Sequence, residues 1–524
     1  MAVNIEKWDV EDESFWNSTG KKIANKNLWI SIPALLLAFA VWIMWGMLVT
    51  YMKDFGFTFG LLEGLVEGTA EYTKALGDIN SMYYTLPAIA GLAGATLRLP
   101  NSFLIALGGG RNVIFVSTFL LIIPAVGAGI GLSDINTSYE FFAVMALLSG
   151  FGGGNFSSSM NNISYFYPKK MQGYALGMNA GIGNLGVATM QKLIPLVVPF
   201  VFFGAVGTGV IKGVEFAGIQ NAGWVWVPLL VASALAAYFG MNNVSTGTPE
   251  LPTTAQGVTK TLIMVGLGLL AAAVGAYLLI ILKVNMWIVL PVVIVLAVLL
   301  MKYATPSSIK GNLNKQLSIL SDKHNWIMTI IYTMTFGSFI GYSAAFPKLC
   351  QDIFPTADYR LWVFIGPAIG ALVRPVGGII ADKINSGAKV TMWSTILQIF
   401  AALAVAYFVI QTRELKVDPT ADPLTYWWPF FGAFMMLFLA TGIGNGSTFR
   451  SIPYIFSKEK AGPVLGWTAA IAAYGAFIIP KVFGEQIKAG HAEYALYGFA
   501  IYYVICLLLN WWYYQGPKRE FDNP

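Results

Sequence analysis

Two arginines stand alone in apolar surroundings and are the residues of this chain best placed to do chemistry. Arg98 lies in TLRLPNS and Arg374 in LVRPVGG, 276 positions apart, each in an apolar segment otherwise free of charge. A guanidinium at membrane depth carries an insertion penalty of ~2.5–3.5 kcal/mol, so it is retained for a partner or a ligand. Neither has an acidic residue in its own segment. Snorkelling is the competing reading, because each lies within a few turns of a segment end and a long stem reaches the headgroups. Occurrence of the feature twice favours a ligand. Two unpaired guanidinium groups facing each other repel in a medium of low dielectric unless an anion lies between them. Their planar donor forks suit a planar oxyanion better than an ammonium does. No nucleophile–base pair or metal-ligand spacing appears, and Cys350 and Cys506 are isolated in apolar context. No enzyme, metal or cofactor is expected, and the chemistry is reversible anion binding.

The elements that position these arginines are read from an internal echo. Residues 150–186, GFGGGNFSSSMNNISYFYPKKMQGYALGMNAGIGNLG, combine small residues with long apolar flanks, and Lys169 and Lys170 interrupt them as a cytoplasmic turn does. Ile163, Tyr165, Lys169, Gly173, Leu176, Gly177 and Gly186 recur without gaps at Ile452, Tyr454, Lys458, Gly462, Leu465, Gly466 and Gly475, 289 positions later. The chain is a duplication, and two parallel halves with one buried arginine each are the pattern of a secondary transporter whose site lies between its repeats. Gly181, Gly183, Gly186 and Gly475 read as helix-packing glycines, since GFGGGNFSS lacks the Lys-Ser/Thr of a phosphate loop. Asn184, whose repeat partner is Ala473, is open between packing and ligand contact. Tyr332 and Phe336, at i and i+4, share one helix face and by spacing alone read as packing.

Composition sets the class. Of 524 residues 56% are hydrophobic and 11% charged, against about 25% charged in soluble domains, so the chain is an all-α polytopic membrane protein. The net charge of +6 reflects cytoplasmic loops rather than a nucleic-acid surface. At about 20 apolar residues per crossing, 14 spans are expected, the third to last of them entered at about 427. They fall into an N-terminal segment 1–27, a six-helix bundle 28–243, a linker 244–323 holding two inserted helices, a second six-helix bundle 324–515 and a tail 516–524. Lys and Arg alternate so as to place both termini in the cytoplasm, and no cleavable signal peptide is evident. The inserted pair, without counterpart in either half, is expected to be a peripheral hairpin with 283–285 outside.

AGIGNLG at 180–186, AIAAYGA at 470–476, GGGNFSSSMNNISYFYP and YTMTFGSFIGYSAAFP together resemble the nitrate/nitrite porter (NarK-type) family of the major facilitator superfamily. The likeness runs over about 28–243 and 324–515 and leaves out the inserted pair, by which the span count exceeds the family's usual one. It implies a major facilitator fold and a site in which Arg98 and Arg374 clamp nitrate or nitrite, Asn184 and Tyr332 hydrogen-bond it, and Phe156 and Phe336 lie on its faces. It implies a monomer in the lipid of a bacterial inner membrane, with small anions and no nucleic acid as partners. A carrier of another small anion and a nitrate-binding sensor are the rival readings. Coupling by nitrate/nitrite antiport is favoured over proton symport, because none of the apolar segments contains Asp, Glu or His. Lys192 and Lys481, near the outer ends of corresponding spans, are the remaining candidates for proton carriage.

Overall fold

A computed structural model describes residues 3–204, 206, 217–305, 317–418, 420–522 and 524. Lys310 and Lys315 of the linker, and the Gly-rich part of the loop after the fifth span, fall outside the described residues. The described chain is built almost wholly of long helices, with one short parallel strand pair, Asn4–Ile5 on Asn243–Val244. Among the described residues, eleven helices are long and apolar enough to cross a membrane. Three others of similar length, Ala70–Asn101, Tyr139–Ser164 and Gln172–Val197, are less apolar, and they carry Arg98, Phe156 and Asn184. Their shortfall has a physical cause. Polar and glycine residues that face the middle of a bundle dilute hydropathy without exposing polarity to lipid.

The first crossing is split at Met44 into Lys21–Ile43 and Trp45–Asp54. The crossing that opens the second half, Lys323–Tyr332 continued by Ser338–Ile353, is interrupted by a π-helical turn, Thr333–Gly337. Its partner near the end of the chain, Lys458–Ala472 and Gly475–Lys488, breaks at Ala473 and Tyr474. Such interruptions free backbone carbonyls and redirect side chains, and they concentrate where helices surround a polar site.

Two glycines set how closely helices approach. A Cβ built on Gly186 falls 2.0 Å from the carbonyl oxygen of Leu36, and one on Gly475 falls 2.0 Å from that of Gly337. Gly183 sits against the Leu35 side chain at 2.7 Å, whereas Gly181 has nothing within 4 Å, so close approach does not account for it. Gly173, Gly177 and Gly462 also face open space.

The segment before the first crossing is packed rather than free. Trp8 and Trp16 are buried in a cluster with Phe166, Tyr167 and Val244, and Trp8 Nε1 donates to the Tyr165 carbonyl at 2.9 Å. At the other end, Lys323 pairs with Glu520 at 2.6 Å, and the Pro524 carbonyl accepts from the Ala388 amide at 2.9 Å. These contacts place both termini on one face of the molecule, where Lys169, Lys323, Lys389 and Lys460 also lie.

The inserted helices, Thr254–Ile280 and Met286–Ala304, pack on each other and on the outside of the first bundle. The first lies along Ala70–Asn101, with Gly268 over Leu97 and Pro100 and Gly275 near Leu92. Val298 and Met301 of the second reach the space between the bundles.

Candidate functional site

Arg98 is fully buried. Its Nε donates to the Gly153 carbonyl and its Nη1 to the Ala469 carbonyl, each at 3.0 Å, while Nη2 has no partner. The second of these bonds crosses from one half to the other. The helix break explains it: the amide of Ala473, which in a continuous helix caps Ala469, is turned to Ile471, and the guanidinium takes the freed carbonyl. Three rings surround the same group, with the guanidinium carbon 4.7 Å from the Phe156 centroid, 5.0 Å from Phe336 and 5.3 Å from Trp42.

Arg374 is also buried. Its Nη2 reaches the Tyr332 hydroxyl at 3.4 Å, Nη1 has no partner, and Phe449 lies 4.8 Å from its guanidinium carbon. The π-helical turn sets Tyr332 and Phe336 face to face, with centroids 5.7 Å apart and planes 9° from parallel. Phe336 then stacks on Phe156 of the other half at 6.2 Å and 23°. A continuous run therefore joins the bundles: Arg98, Phe156, Phe336, Tyr332, Arg374. Neither arginine is ion-paired, and each keeps one N–H group unmet. Leaving a charged donor unmet in a buried place is costly, so these two groups are candidate contacts for a ligand that accepts hydrogen bonds.

Asn184 lies on Gln172–Val197, between Lys21–Ile43 and the Arg374 helix Ile365–Lys383. It is buried, with neither its oxygen nor its nitrogen hydrogen-bonded, and it does not touch either arginine through such a bond. Five of the six residues expected at the site are thus brought together, and Asn184 is a buried donor and acceptor with no hydrogen-bond partner among the described residues. Sequence reasoning missed Trp42, Phe449, the Ala469 carbonyl and Asn155, whose amide next to Phe156 is likewise buried and unmet. The adjacency of Asn155 to Phe156 was the one signal available.

A cavity of about 370 Å3 shares Phe156, Phe449 and Ala469 with this site and runs to the helix ends at Ser164, Tyr165 and Gly462. It opens on the face that carries the termini. On the opposite face three ion pairs join the bundles: Lys53 with Asp352 at 2.9 Å, Arg360 with Asp54 at 2.5 Å, and Lys488 with Asp78.

The Tyr332 helix runs past 348 to Ile353, and its last turn carries Asp352, mostly shielded and 2.5 Å from the fully buried Lys348. Of the acids near other span ends, Asp382 pairs with Arg450 at 3.1 Å and Glu493 with Arg413 at 2.6 Å. Lys192 is exposed, its ammonium 4.8 Å from the Phe364 ring, and Lys481 lies 3.8 Å from Glu485.

No family model matches the chain. Its likeness to individual proteins is extensive. It is 34% identical to the nitrate/nitrite transporter NarU of Escherichia coli K12, over 99% of this chain and 97% of that protein. It is 32% identical to the probable nitrate/nitrite antiporter NarK2 of Thermus thermophilus, over 98% of this chain and 97% of that protein. Among solved structures, a partially occluded, inward-open form of the E. coli xylose transporter XylE superposes with a TM-score of 0.58 at 11% identity, covering 94% of this chain and 97% of that one. An auto-inhibited peptide transporter of the POT family gives 0.56 at 12% identity, covering 93% and 96%. These last two show the fold alone, two six-helix bundles of the major facilitator type. With relatives of more than 30% identity over nearly its whole length, the chain belongs to the nitrate/nitrite porter family of the major facilitator superfamily.

Proposed function

We propose that this protein exchanges nitrate for nitrite across a bacterial cytoplasmic membrane by alternating access, as a monomer with both termini in the cytoplasm. The observation that carries the reading is the pair of unmet guanidinium N–H groups, one from each bundle, at the two ends of a single aromatic run with no carboxylate among them. One bound anion satisfies both and offsets their mutual repulsion. Phe156 and Phe336 lie against a planar oxyanion's faces, Tyr332 donates its hydroxyl, and Asn184 supplies the remaining polar contact.

Transfer follows from the two ends of the molecule. The cavity reaches the site from the face carrying the termini, and ion pairs close the other face, which makes this the inward-facing state. Rocking bundles 28–243 and 324–515 about the clamp exchanges which face is open. Moving one anion inward against an inside-negative potential costs ~2.3 kcal/mol per 100 mV, and a counter-moving anion of equal charge removes that cost. The anion clamp itself holds no carboxylate or imidazole to carry a proton with nitrate.

The test uses proteoliposomes loaded with or without nitrite, with nitrate added outside and internal pH and nitrate followed together. Exchange requires uptake only when nitrite is inside and no change of pH. Uptake into empty vesicles with internal acidification would replace antiport by proton symport.

A further inference from the structure

On the face opposite the termini, the last turns of Trp45–Asp54 and Ser338–Ile353 exchange side chains reciprocally. Lys53 of the first half reaches Asp352 of the second at 2.9 Å, and Gln351 of the second donates to Asp54 of the first at 2.8 Å. In each helix the first of two adjacent residues reaches the aspartate that is the second of the two in the other, so the contacts are reciprocal. The reciprocity fails one turn earlier. Where the first half has Thr50, the second has Lys348, whose ammonium is fully buried, 2.5 Å from Asp352 and 2.6 Å from the Asn80 side-chain oxygen. The same Asn80 donates from its nitrogen to Asp352 at 3.2 Å.

Asp352 is therefore held by two kinds of partner. Lys53 and Asn80 belong to the other bundle and leave when the bundles part. Lys348 sits one helical turn away on the same helix and stays. We propose that Asp352 is the hub of the outer gate, latched across the seam by Lys53 and Asn80, and that Lys348 is its resident counter-ion in both states. The division of labour has a physical basis. An unpaired carboxylate in a packed seam is disfavoured, so a cation that stays with Asp352 lowers the cost of breaking its contact with Lys53. With Lys348 in place, opening strands neither charge on the second bundle, and the cost is confined to the contacts that cross the seam. This inference goes beyond the substrate reading above and rests only on the alternating-access part of it.

Ser343 supplies the reporter. It is fully buried on the same helix, and its carbonyl accepts from Gln191 of the first bundle at 2.9 Å, which puts it on the seam between the gate and the anion site. In a Cys350→Ala, Cys506→Ala background, Ser343→Cys is labelled with a membrane-impermeant maleimide applied to the outer face of right-side-out vesicles. With the gate intact, labelling is slow. Asp352→Asn removes the hub, and labelling should accelerate by about tenfold or more as the closed population falls. Lys53→Met removes one latch only, at a partly exposed residue, and should give a smaller rise of the same sign. Labelling rates in both variants equal to the parent's would overturn the proposal. If Asp352→Asn is not recovered folded, Lys53→Met decides alone. Nitrate/nitrite exchange measured on the parent vesicles reports the transport reading separately, so failure of the one is not mistaken for failure of the other.

Discussion

At the scale of single residues, the two arginines are held differently. Arg98 is fixed by two backbone carbonyls and three rings, Arg374 by one hydroxyl and one ring. A lysine offers a point charge and cannot hold a carbonyl while keeping a planar pair of N–H groups for the ligand. Arg98→Lys and Arg374→Lys should each lower exchange by about tenfold to a hundredfold, the worth of a lost charge-assisted bond at ~1.5–3 kcal/mol, with thermal stability in detergent little changed. Wild-type rates in either lysine variant would mean that the arginine does not clamp the anion. Asn184 separates two roles that its spacing left open. Its amide has no protein partner, so Asn184→Ala removes buried unmet polar atoms and should leave stability equal or higher while weakening nitrate affinity. Lower stability with unchanged affinity, read by calorimetry and ligand-induced thermal shift, would assign it to packing. The arginines were legible in the sequence because charge in an apolar segment is rare and expensive. The carbonyl of Ala469 was not, because backbone groups carry no letter and this one is freed only by a helix break. Lys348 and Asp352 were missed because an apolar count ends a span at its first charge, although the helix continues.

At the scale of elements, duplication was legible and curvature was not. Gapless recurrence of glycines and basic turns located corresponding helices, but the π-helical turn at Thr333–Gly337 and the break at Ala473 depend on contacts between halves. Without the π-helical turn, Tyr332 and Phe336 would keep ordinary i, i+4 spacing, and the stack that joins the arginines would lose its geometry. Gly475 supports that turn directly, since its missing side chain lets the last helix pair lie against Gly337. Gly475→Ala should therefore destabilise by ~1–3 kcal/mol, as overpacking does, and should also lower nitrate affinity by displacing Phe336. Gly186→Ala, pressed on the Leu36 carbonyl and reaching Phe156 only through Phe39, should show the stability loss with a smaller change in affinity. Equal thermal midpoints for parent and both variants would refute the packing account. The hydropathy of the Arg98, Phe156 and Asn184 helices hides them from a purely compositional search for spans, and only the repeat and the alternation of basic loops recovered them.

At the scale of the whole molecule, the inserted pair changes what the first bundle is. It lies along the Arg98 helix and contributes Val298 and Met301 to the wall of the cavity, covering one side of it. Its even number of crossings preserves the orientation of the second half, a topological rule available from sequence, whereas its packing partner was not. A cysteine replacing Lys283, which sits at positive φ in the turn between the two inserted helices, should label from outside in intact cells, and one at Ser245 should label only after permeabilisation. The reverse pattern would invert the assignment of faces.

Gly177, with open space beside it, and its repeat partner Gly466, whose one near neighbour is Ser102 Oγ at 3.8 Å, have a consequence for how variation in this chain is to be interpreted. A larger side chain at either position meets little in the inward-facing state, so a melting experiment should score Gly177→Val or Gly466→Val as nearly neutral. Yet both glycines lie on the helices that flank the cavity mouth, where the opposing walls come together once the path to the cytoplasm shuts. Turnover, not folding, is then what such a variant loses, trapped with its mouth open. A residue can be required by a conformation in which it has not yet been seen, and stability measurements on one conformer are blind to that requirement.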